Sequence, residues 1–577
     1  MRSNFAFRIR LIAVIVVAVA LVLVARLYFV QVVHGEEYRQ KAESQYAKQS
    51  TNQLDRGSIF FTAKDGSLIS AATLASGYTV ALNPTLIDDP EFTYTALKTL
   101  LPDIEHDPFI AKASKQGDTY EEIARKVSDN IGAKIKTLSM PGVELLRERW
   151  RFYPGNTLAA HAIGFLGYGA DGTTIAGRYG LERFYDDALR RNAGGLYLNF
   201  FADLFTNIGS QIFSSDTPEG ADVVTSIEPS VELYLENVLR DYDDAWHPKI
   251  SGAIIMDPKT GAILAMAASP SFDLNDFKDA DPNAFANPLV EGVYEFGSIV
   301  KPLTMAAGID AMAVTPQTTY NDKGYAIYDG GRIANFDKKG RGVIPMQEVI
   351  NQSLNTGAAF VVEKMGTEIF REYFEKFGVM EETGIDLPNE VAPLVENLKS
   401  PRTLEYATAS FGQGIALTPV GMARALAALA NHGVVPGPHV GVELRYGGGI
   451  NKELGWSPER RAITAESADT ITRMLVTAVD TWLLGGTAKI PEYSIAAKTG
   501  TAEIARADAR GYYDDRYLHS FFGYFPAYDP KFFIFLFAVE PTGARYASDT
   551  WTHPFMKTVR FLITYYDIPP DRAPRAP

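Results

Sequence analysis

Ser-x-x-Lys occurs once in this 577-residue chain, in "YEFGSIVKPLTM", where Ser298 and Lys301 precede an apolar, helix-like stretch. Residues i and i+3 of a helix share a face. A lysine amine held there and stripped of water loses its charge and can take the serine proton, which makes the hydroxyl a nucleophile. An isolated match is by default a surface pair at a helix start, so the assignment needs partners. Lys-Thr-Gly occurs twice. At Lys259–Gly261, "MDPKTGAILAM" puts Pro and Gly where a tight turn between apolar strands wants them. At Lys498–Gly500, "IAAKTGTAEIA" is a strand of small residues with no turn chemistry before it. Ala496 and Ala497 permit close approach, and Gly500 lets a ligand or backbone lie against the strand. Lys498, Thr499 and Thr501 suit a small anionic substrate. In "VINQSLNTGAAFVVEKMG", Ser353 and Asn355 interrupt two apolar helical runs and so sit at a helix–helix turn. Ser-x-Asn alone is weak; Ser50–Asn52 repeats it in polar chain. The ordered set carries more weight than any member.

These groups need a rigid mount. "SGAIIMD" and "AILAMAA" flank the first Lys-Thr-Gly, and "SFFGYFPA" and "KFFIFLFAVEP" flank Tyr528-Asp529-Pro530. Short turns between β-prone runs predict antiparallel hairpins. Helical stretches such as "TPVGMARALAALANHG" lie between the strand pairs, so the fold class is α+β, an antiparallel sheet covered by helices. A Gly-, Ser- and Pro-rich stretch at 209–221 marks a boundary. "DVVTSIEPSVELYLENVLRDY" then reads as strand, turn at Glu228-Pro229, and helix. The site domain is expected over 222–567, with a disordered Pro-rich tail at 568–577. Residues 34–221 form a stalk and a mixed domain, with strand-like "GYTVALN" and helical "DTYEEIARKVSDNIGAKIKTL".

Composition is that of a globular protein, 46% hydrophobic and 21% charged. A net charge of −14 argues against nucleic-acid partners. With no cysteine, there are no disulfides, thiolate zinc sites or cysteine nucleophiles. No P-loop, His-Glu-x-x-His or Gly-x-Ser-x-Gly occurs, and neither a metal nor a cofactor is expected. Arg2, Arg8 and Arg10 precede an apolar run from Leu11, and Leu11–Val33 supplies 23 positions if Arg26 snorkels. That suffices for a single transmembrane helix, residues 1–33 forming a cytoplasmic tip and anchor with the bulk outside. A cleaved signal peptide is the alternative.

The ordered Ser-x-x-Lys, Ser-x-Asn and Lys-Thr-Gly set resembles the penicilloyl-serine transferases, that is, penicillin-binding proteins and serine β-lactamases. The flanks "YEFGSIVKP", "SLNTGAAF", "TGIDLPNE", "SFGQGIALTPVGMARALAALANHG" and "AAKTGTAE" are similar to class B penicillin-binding proteins, the monofunctional peptidoglycan DD-transpeptidases. "RFYPGNTLAAHAIGFLG" and "GRYGLERFYDDAL" resemble their non-catalytic pedestal, a dimerisation-type domain. The Glu of "YEFGSIVKP" and the C-terminal stretch lean to the division-type, FtsI-like members, with the elongation type second. The resemblance implies that Ser298 attacks a D-Ala-D-Ala stem peptide and that Lys301 accepts its proton. It implies that Ser353 relays a proton, that Asn355 orients the peptide amide, and that Lys498, Thr499, Gly500 and Thr501 form the substrate site. The N–H groups of Ser298 and Thr501 would form the oxyanion hole. Implied partners are stem peptides, β-lactams, a SEDS-family glycosyltransferase (FtsW-like or RodA-like) and divisome membrane proteins at the bacterial cytoplasmic membrane. Two departures stand out: Phe296 where the family has Pro, and Phe61 in "RGSIFFTAKDG" where it has Asp. Arg149, Arg151, His161 and Glu182 read as inter-module structure. A non-catalytic sensor or scaffold and a DD-carboxypeptidase are the alternatives. No Glu-x-x-x-Asn that could activate a deacylating water lies between Ser353 and Lys498.

Overall fold

The computed structural model describes residues 54–168, 175–191, 220–456, 460–506 and 511–572. The expected membrane span at Leu11–Val33 lies outside them, and among the described residues no helix is long and apolar enough to cross a membrane. The chain divides into two units. The smaller takes in residues 74–151, and the larger joins 56–73 to everything from 152 onward.

The larger unit is built on a five-stranded antiparallel sheet, composed of β1 (Ile250–Met256), β2 (Ile263–Ser269), β3 (Ala496–Ala505), β4 (Tyr512–Phe525) and β5 (Phe532–Val539), in the order β3-β4-β5-β1-β2. The two expected hairpins are β1–β2 and β4–β5, in register at Gly252↔Ala268 and Phe522↔Phe535. β5 explains its own sequence. Phe533, Phe535 and Phe537 enter one apolar core, while Phe532, Ile534, Leu536 and Ala538 enter the other. A strand buried on both faces reads as an unbroken apolar run. Helices cover both faces. Helix α1 (Pro229–Trp246) starts where predicted, with the Glu228 carboxylate capping Val231 N–H at 2.7 Å and Pro229 in the first turn. On the other face lie α2 (Lys301–Asp310), α3 (Asn355–Met365), α4 (Pro419–Ala430) and α5 (Ala465–Thr481), and α6 (Ala547–Tyr565) packs beside α1. All twelve residues of α4 are buried, as its Ala-rich sequence requires at close quarters.

Two expectations are corrected here, and one long-range pairing is added to them. Strand Ile59–Thr62 pairs in parallel with Asp222–Thr225, which pairs with Gly441–Tyr446, and residues 56–73 and 152–191 pack with the site-bearing unit. Local composition marks a chain break, but pairing over more than 160 positions leaves no local trace (Ser58 N–H to Asp222 Oδ1, |i−j|=164). "DTYEEIARKV" is not helical: Glu121–Val127 is a strand, and the helix begins at Asp129 with Ser128 as its cap. The tail from 568 is partly docked. Asp571 accepts from Ser494 N–H at 2.7 Å, and Arg572 pairs with Asp480 at 2.9 Å.

Phe61, the departure from the family's Asp, is 2% exposed and fills the main core. The Arg56 guanidinium donates to Glu182 Oε2 and to Asp186 Oδ1, both at 2.7 Å. Removing one partner of so buried a pair costs about 3–5 kcal/mol. His161 Nε2 donates to Ala284 O at 2.9 Å, and burial pushes its imidazole down to about 4. Since that carbonyl can only accept, the ring nitrogen donates. Arg149 is exposed, unlike the other three residues grouped with it. In the smaller unit, Val80, Leu82, Leu97, Phe109 and Ile135 make a separate core.

Candidate active site

Ser298 occupies a single 3-10 turn, Gly297–Val300, that runs directly into α2. Side chains i and i+3 eclipse in such a turn, which places Lys301 Nζ 3.0 Å from Ser298 Oγ. Two glycines let the turn approach the sheet edge. Gly297 has φ +64, and a Cβ there would stand 2.6 Å from Thr501 O. A Cβ at Gly500 would stand 2.6 Å from Phe296 O and 2.3 Å from Ser520 Oγ. The Ser520 hydroxyl donates to Phe296 O at 2.8 Å and fixes the residue two before the nucleophile. The Phe296 ring is 1% exposed and packs edge-on against Phe535 at 5.3 Å, so this departure adds a core aromatic beneath the turn.

Ser353 lies between helix Met346–Asn351 and α3, with φ +57. That left-handed conformation costs a non-glycine residue about 1–2 kcal/mol. Lys301 holds it there: Nζ donates to Ser353 O at 2.5 Å and lies 3.2 Å from Ser353 Oγ. From the other side, Lys498 Nζ reaches the same Oγ at 3.0 Å and Thr499 O at 3.0 Å. Two amines therefore bracket one hydroxyl, and both are buried, at 1% and 6% exposure. Burial pushes the Lys301 amine well below its ordinary value, and the nearby Lys498 charge pushes it further. Burial brings Lys498 down to about 7.

A neutral amine has two N–H donors and one lone pair. If Lys301 spends its donors on Ser353 O and Ser353 Oγ, the lone pair is left for the Ser298 O–H. That is the arrangement of a general base poised on a nucleophile. Asn355, the first residue of α3, donates Nδ2 to Ala334 O at 2.9 Å, which leaves its amide oxygen for an incoming N–H. Thr501 Oγ1 accepts from Ala547 N–H at 3.0 Å and retains its own proton to give. β3 is an edge strand, so its outward backbone groups have no strand partner. The first N–H groups of the Ser298 turn lack intrahelical acceptors.

A cavity of about 800 Å³ opens over these groups, lined by Ser298, Ser353, Asn355, Lys498, Thr499 and Thr501. Lys301 sits behind the two serines. Gly500, between Thr499 and Thr501, lets β3 approach the nucleophile segment, because any Cβ there would meet Phe296 O and Ser520 Oγ. Lys259 lies elsewhere, exposed in its turn and paired with Asp529. The reading missed the cavity's aromatic wall, where Phe336 and Tyr546 meet edge to face at 5.7 Å, and also missed Trp482 and Arg545. No spacing rule connects residues brought together from three separate segments.

Residues 251–559 match the family model described as the penicillin-binding protein transpeptidase domain, and residues 53–225 match the penicillin-binding protein dimerisation domain. Stage V sporulation protein D of Bacillus subtilis is 29% identical over 567 residues, covering 96% of this chain and 85% of its own. The probable peptidoglycan D,D-transpeptidase FtsI of Caulobacter vibrioides is 28% identical, covering 81% of this chain and 73% of its own. The peptidoglycan D,D-transpeptidase MrdA of Acinetobacter baumannii is also 28% identical, covering 90% and 82%. Among solved structures, penicillin-binding protein 2X of Streptococcus thermophilus superposes with a TM-score of 0.71 at 18% identity, covering 90% of this chain and 81% of that one. This last likeness concerns the fold alone.

Proposed function

The chain belongs to the penicillin-binding protein transpeptidase family, and from that premise we propose that it cross-links peptidoglycan stem peptides through an acyl-enzyme on Ser298. The observation that carries this is the buried Lys301 amine, 3.0 Å from Ser298 Oγ and bridged through Ser353 to Lys498. Ser298 attacks the carbonyl of the penultimate D-Ala as Lys301 takes its proton. The N–H groups of Ser298 and Thr501 receive the developing oxyanion, each donor contributing about 3–4 kcal/mol in the transition state. Ser353 hands a proton to the departing D-Ala amine, while Lys498, Thr499 and Thr501 hold that residue's carboxylate. The amine of a second stem peptide then attacks the ester, forms the new amide and returns Ser298. β-Lactams enter by the same attack.

The test is partition. Given a D-Ala-D-Ala donor peptide and an amine acceptor, the protein is expected to make the amide in preference to the acid. Free acid alone would mark a DD-carboxypeptidase, and no turnover with intact penicillin labelling would mark a sensor.

We further propose that Leu11–Val33 anchors the protein in the bacterial cytoplasmic membrane with its body outside, beside a SEDS-family glycosyltransferase and the divisome, in septal synthesis. The arginines before the apolar run and the division-type flanks support this. A reporter that works only in the cytoplasm, fused at Pro577, should be silent; a working reporter would refute the topology.

A further inference from the structure

Asn355 is useful only if its amide is held still, and what holds it is a buried polar knot behind the cavity. Asp322 ends strand Thr319–Asp322 and is 2% exposed. Its carboxylate accepts from Gly324 N–H at 2.9 Å, from Arg341 N–H at 3.1 Å, from the Thr356 hydroxyl at 2.9 Å, and from Asn335 Nδ2 at 3.0 Å to each oxygen. The two backbone N–H groups and Asn335 Nδ2 can only donate, and a carboxylate oxygen is the acceptor that they share; the one Thr356 hydroxyl proton lies between this carboxylate and Asn335 Oδ1, 3.0 Å away.

Asn335 transmits the constraint. Its Nδ2 also donates to Lys339 O at 3.2 Å, and its Oδ1 accepts from Thr356 N–H at 3.2 Å. A carbonyl can only accept and a backbone N–H can only donate, so the Asn335 amide has one permitted orientation. Its two attachments lead directly to the site. Thr356 is the neighbour of Asn355 at the start of α3, and Ala334, the neighbour of Asn335, supplies the carbonyl that receives Asn355 Nδ2. Both ends of the Asn355 mount are thus fastened to one carboxylate. The hydroxyl of Tyr320 closes the knot on Thr356 Oγ1 at 3.2 Å.

We propose that Asp322 is a positioning residue for the reaction: through Asn335 and Thr356 it sets the Asn355 amide that receives the amide N–H of the acyl donor. This rests on the transpeptidase reading and deepens it, because it assigns the positioning of Asn355 to a residue outside the three motifs. Asp322→Asn is nearly isosteric but turns an –NH₂ against a shell of donors. Its effect should depend on whether the ligand has an amide for Asn355 to receive.

The experiment compares acylation rate constants for benzylpenicillin, which carries a side-chain amide, and 6-aminopenicillanic acid, which lacks it. In Asp322→Asn the benzylpenicillin rate should fall about tenfold, the cost of one or two misplaced hydrogen bonds. The 6-aminopenicillanic acid rate should change less than about threefold. Thr356→Val should show a smaller selective loss, and Thr356→Ser should restore the ratio. Thr356→Val decides the matter if Asp322→Asn does not fold. Equal losses with both ligands, or no loss with either, would overturn the proposal. Asn355→Ala separates the premise from the inference. If the two rates fall equally in that variant, the role of Asn355 is wrong; if the benzylpenicillin rate falls selectively there but not in Asp322→Asn, only the present proposal fails.

Discussion

Mixed with benzylpenicillin, the wild-type protein should gain the mass of one opened β-lactam and keep it, and Ser298→Ala should gain nothing. Acylation has what it needs: a hydroxyl 3.0 Å from an amine whose proton affinity burial has lowered. Deacylation does not. Water must be activated by a base on the open side of the ester, and a well-placed base accelerates such steps by about 10²–10⁴-fold. The groups that hydrogen-bond around Ser298 and Ser353 are lysines, hydroxyls and backbone carbonyls; among the described residues none is a carboxylate. The two acids that line the cavity, Glu503 and Asp514, are solvent-exposed on β3 and β4. A peptide acceptor brings its own nucleophilic amine and needs less help than water. Release should therefore be slower than acylation by about 10²-fold or more, and intact-protein mass over time reads both rates. Rapid return to the unmodified mass over many turnovers would show a hydrolase and remove the transpeptidase reading.

The polar half of the site was legible because its chemistry is local. Ser298 and Lys301 are three apart, Ser353 and Asn355 two apart, and Lys498 to Thr501 contiguous, so each cluster is set by one turn or one strand. The β1–β2 and β4–β5 hairpins were legible for the same reason. What the sequence concealed is non-local. Nothing around Phe336, Trp482 or Tyr546 announces that three aromatics from different segments line one cavity. A glycine that admits a ligand and one that admits a neighbouring segment look alike in sequence; at Gly500 the distances to Phe296 O and Ser520 Oγ show the close approach of a segment. Asp322 carried no signal at all. Its meaning lies in donors contributed from Gly324, Asn335, Arg341 and Thr356, and only the folded loop brings them to one carboxylate. The same holds for the parallel pairing of Ile59–Thr62 with Asp222–Thr225, which joins strands about 160 positions apart.

The second large effect is a pH profile whose two limbs belong to two lysines. Lys301 works as a base only when neutral, so acylation should rise with pH through its depressed pKa and then level off. Lys498 works as a cation, and in the empty site it loses its charge as pH passes about 7. The second-order rate constant reports the free enzyme and should therefore be bell-shaped, Lys301 on the acid side and Lys498 on the alkaline side. The two limbs are linked, since the Lys498 charge helps hold the Lys301 amine down. Removing that charge in Lys498→Ala should do three things. The rate at neutral pH should drop about 10–10²-fold, the worth of a charge-assisted contact to the ligand carboxylate. The alkaline limb should vanish. The acid limb should move to higher pH, because a like charge that disfavoured protonated Lys301 is gone. Lys301→Ala should cost about 10²–10⁴-fold and lose the acid limb altogether. Lys259→Ala, in the other Lys-Thr-Gly, removes an exposed pair with Asp529. It should leave the profile untouched and change stability by less than about 1 kcal/mol. Stopped-flow acylation from pH 5 to 10 measures every limb. An acid limb that stays in place when Lys498 is removed would separate the two amines and leave Lys301 without its assigned role as the titrating base.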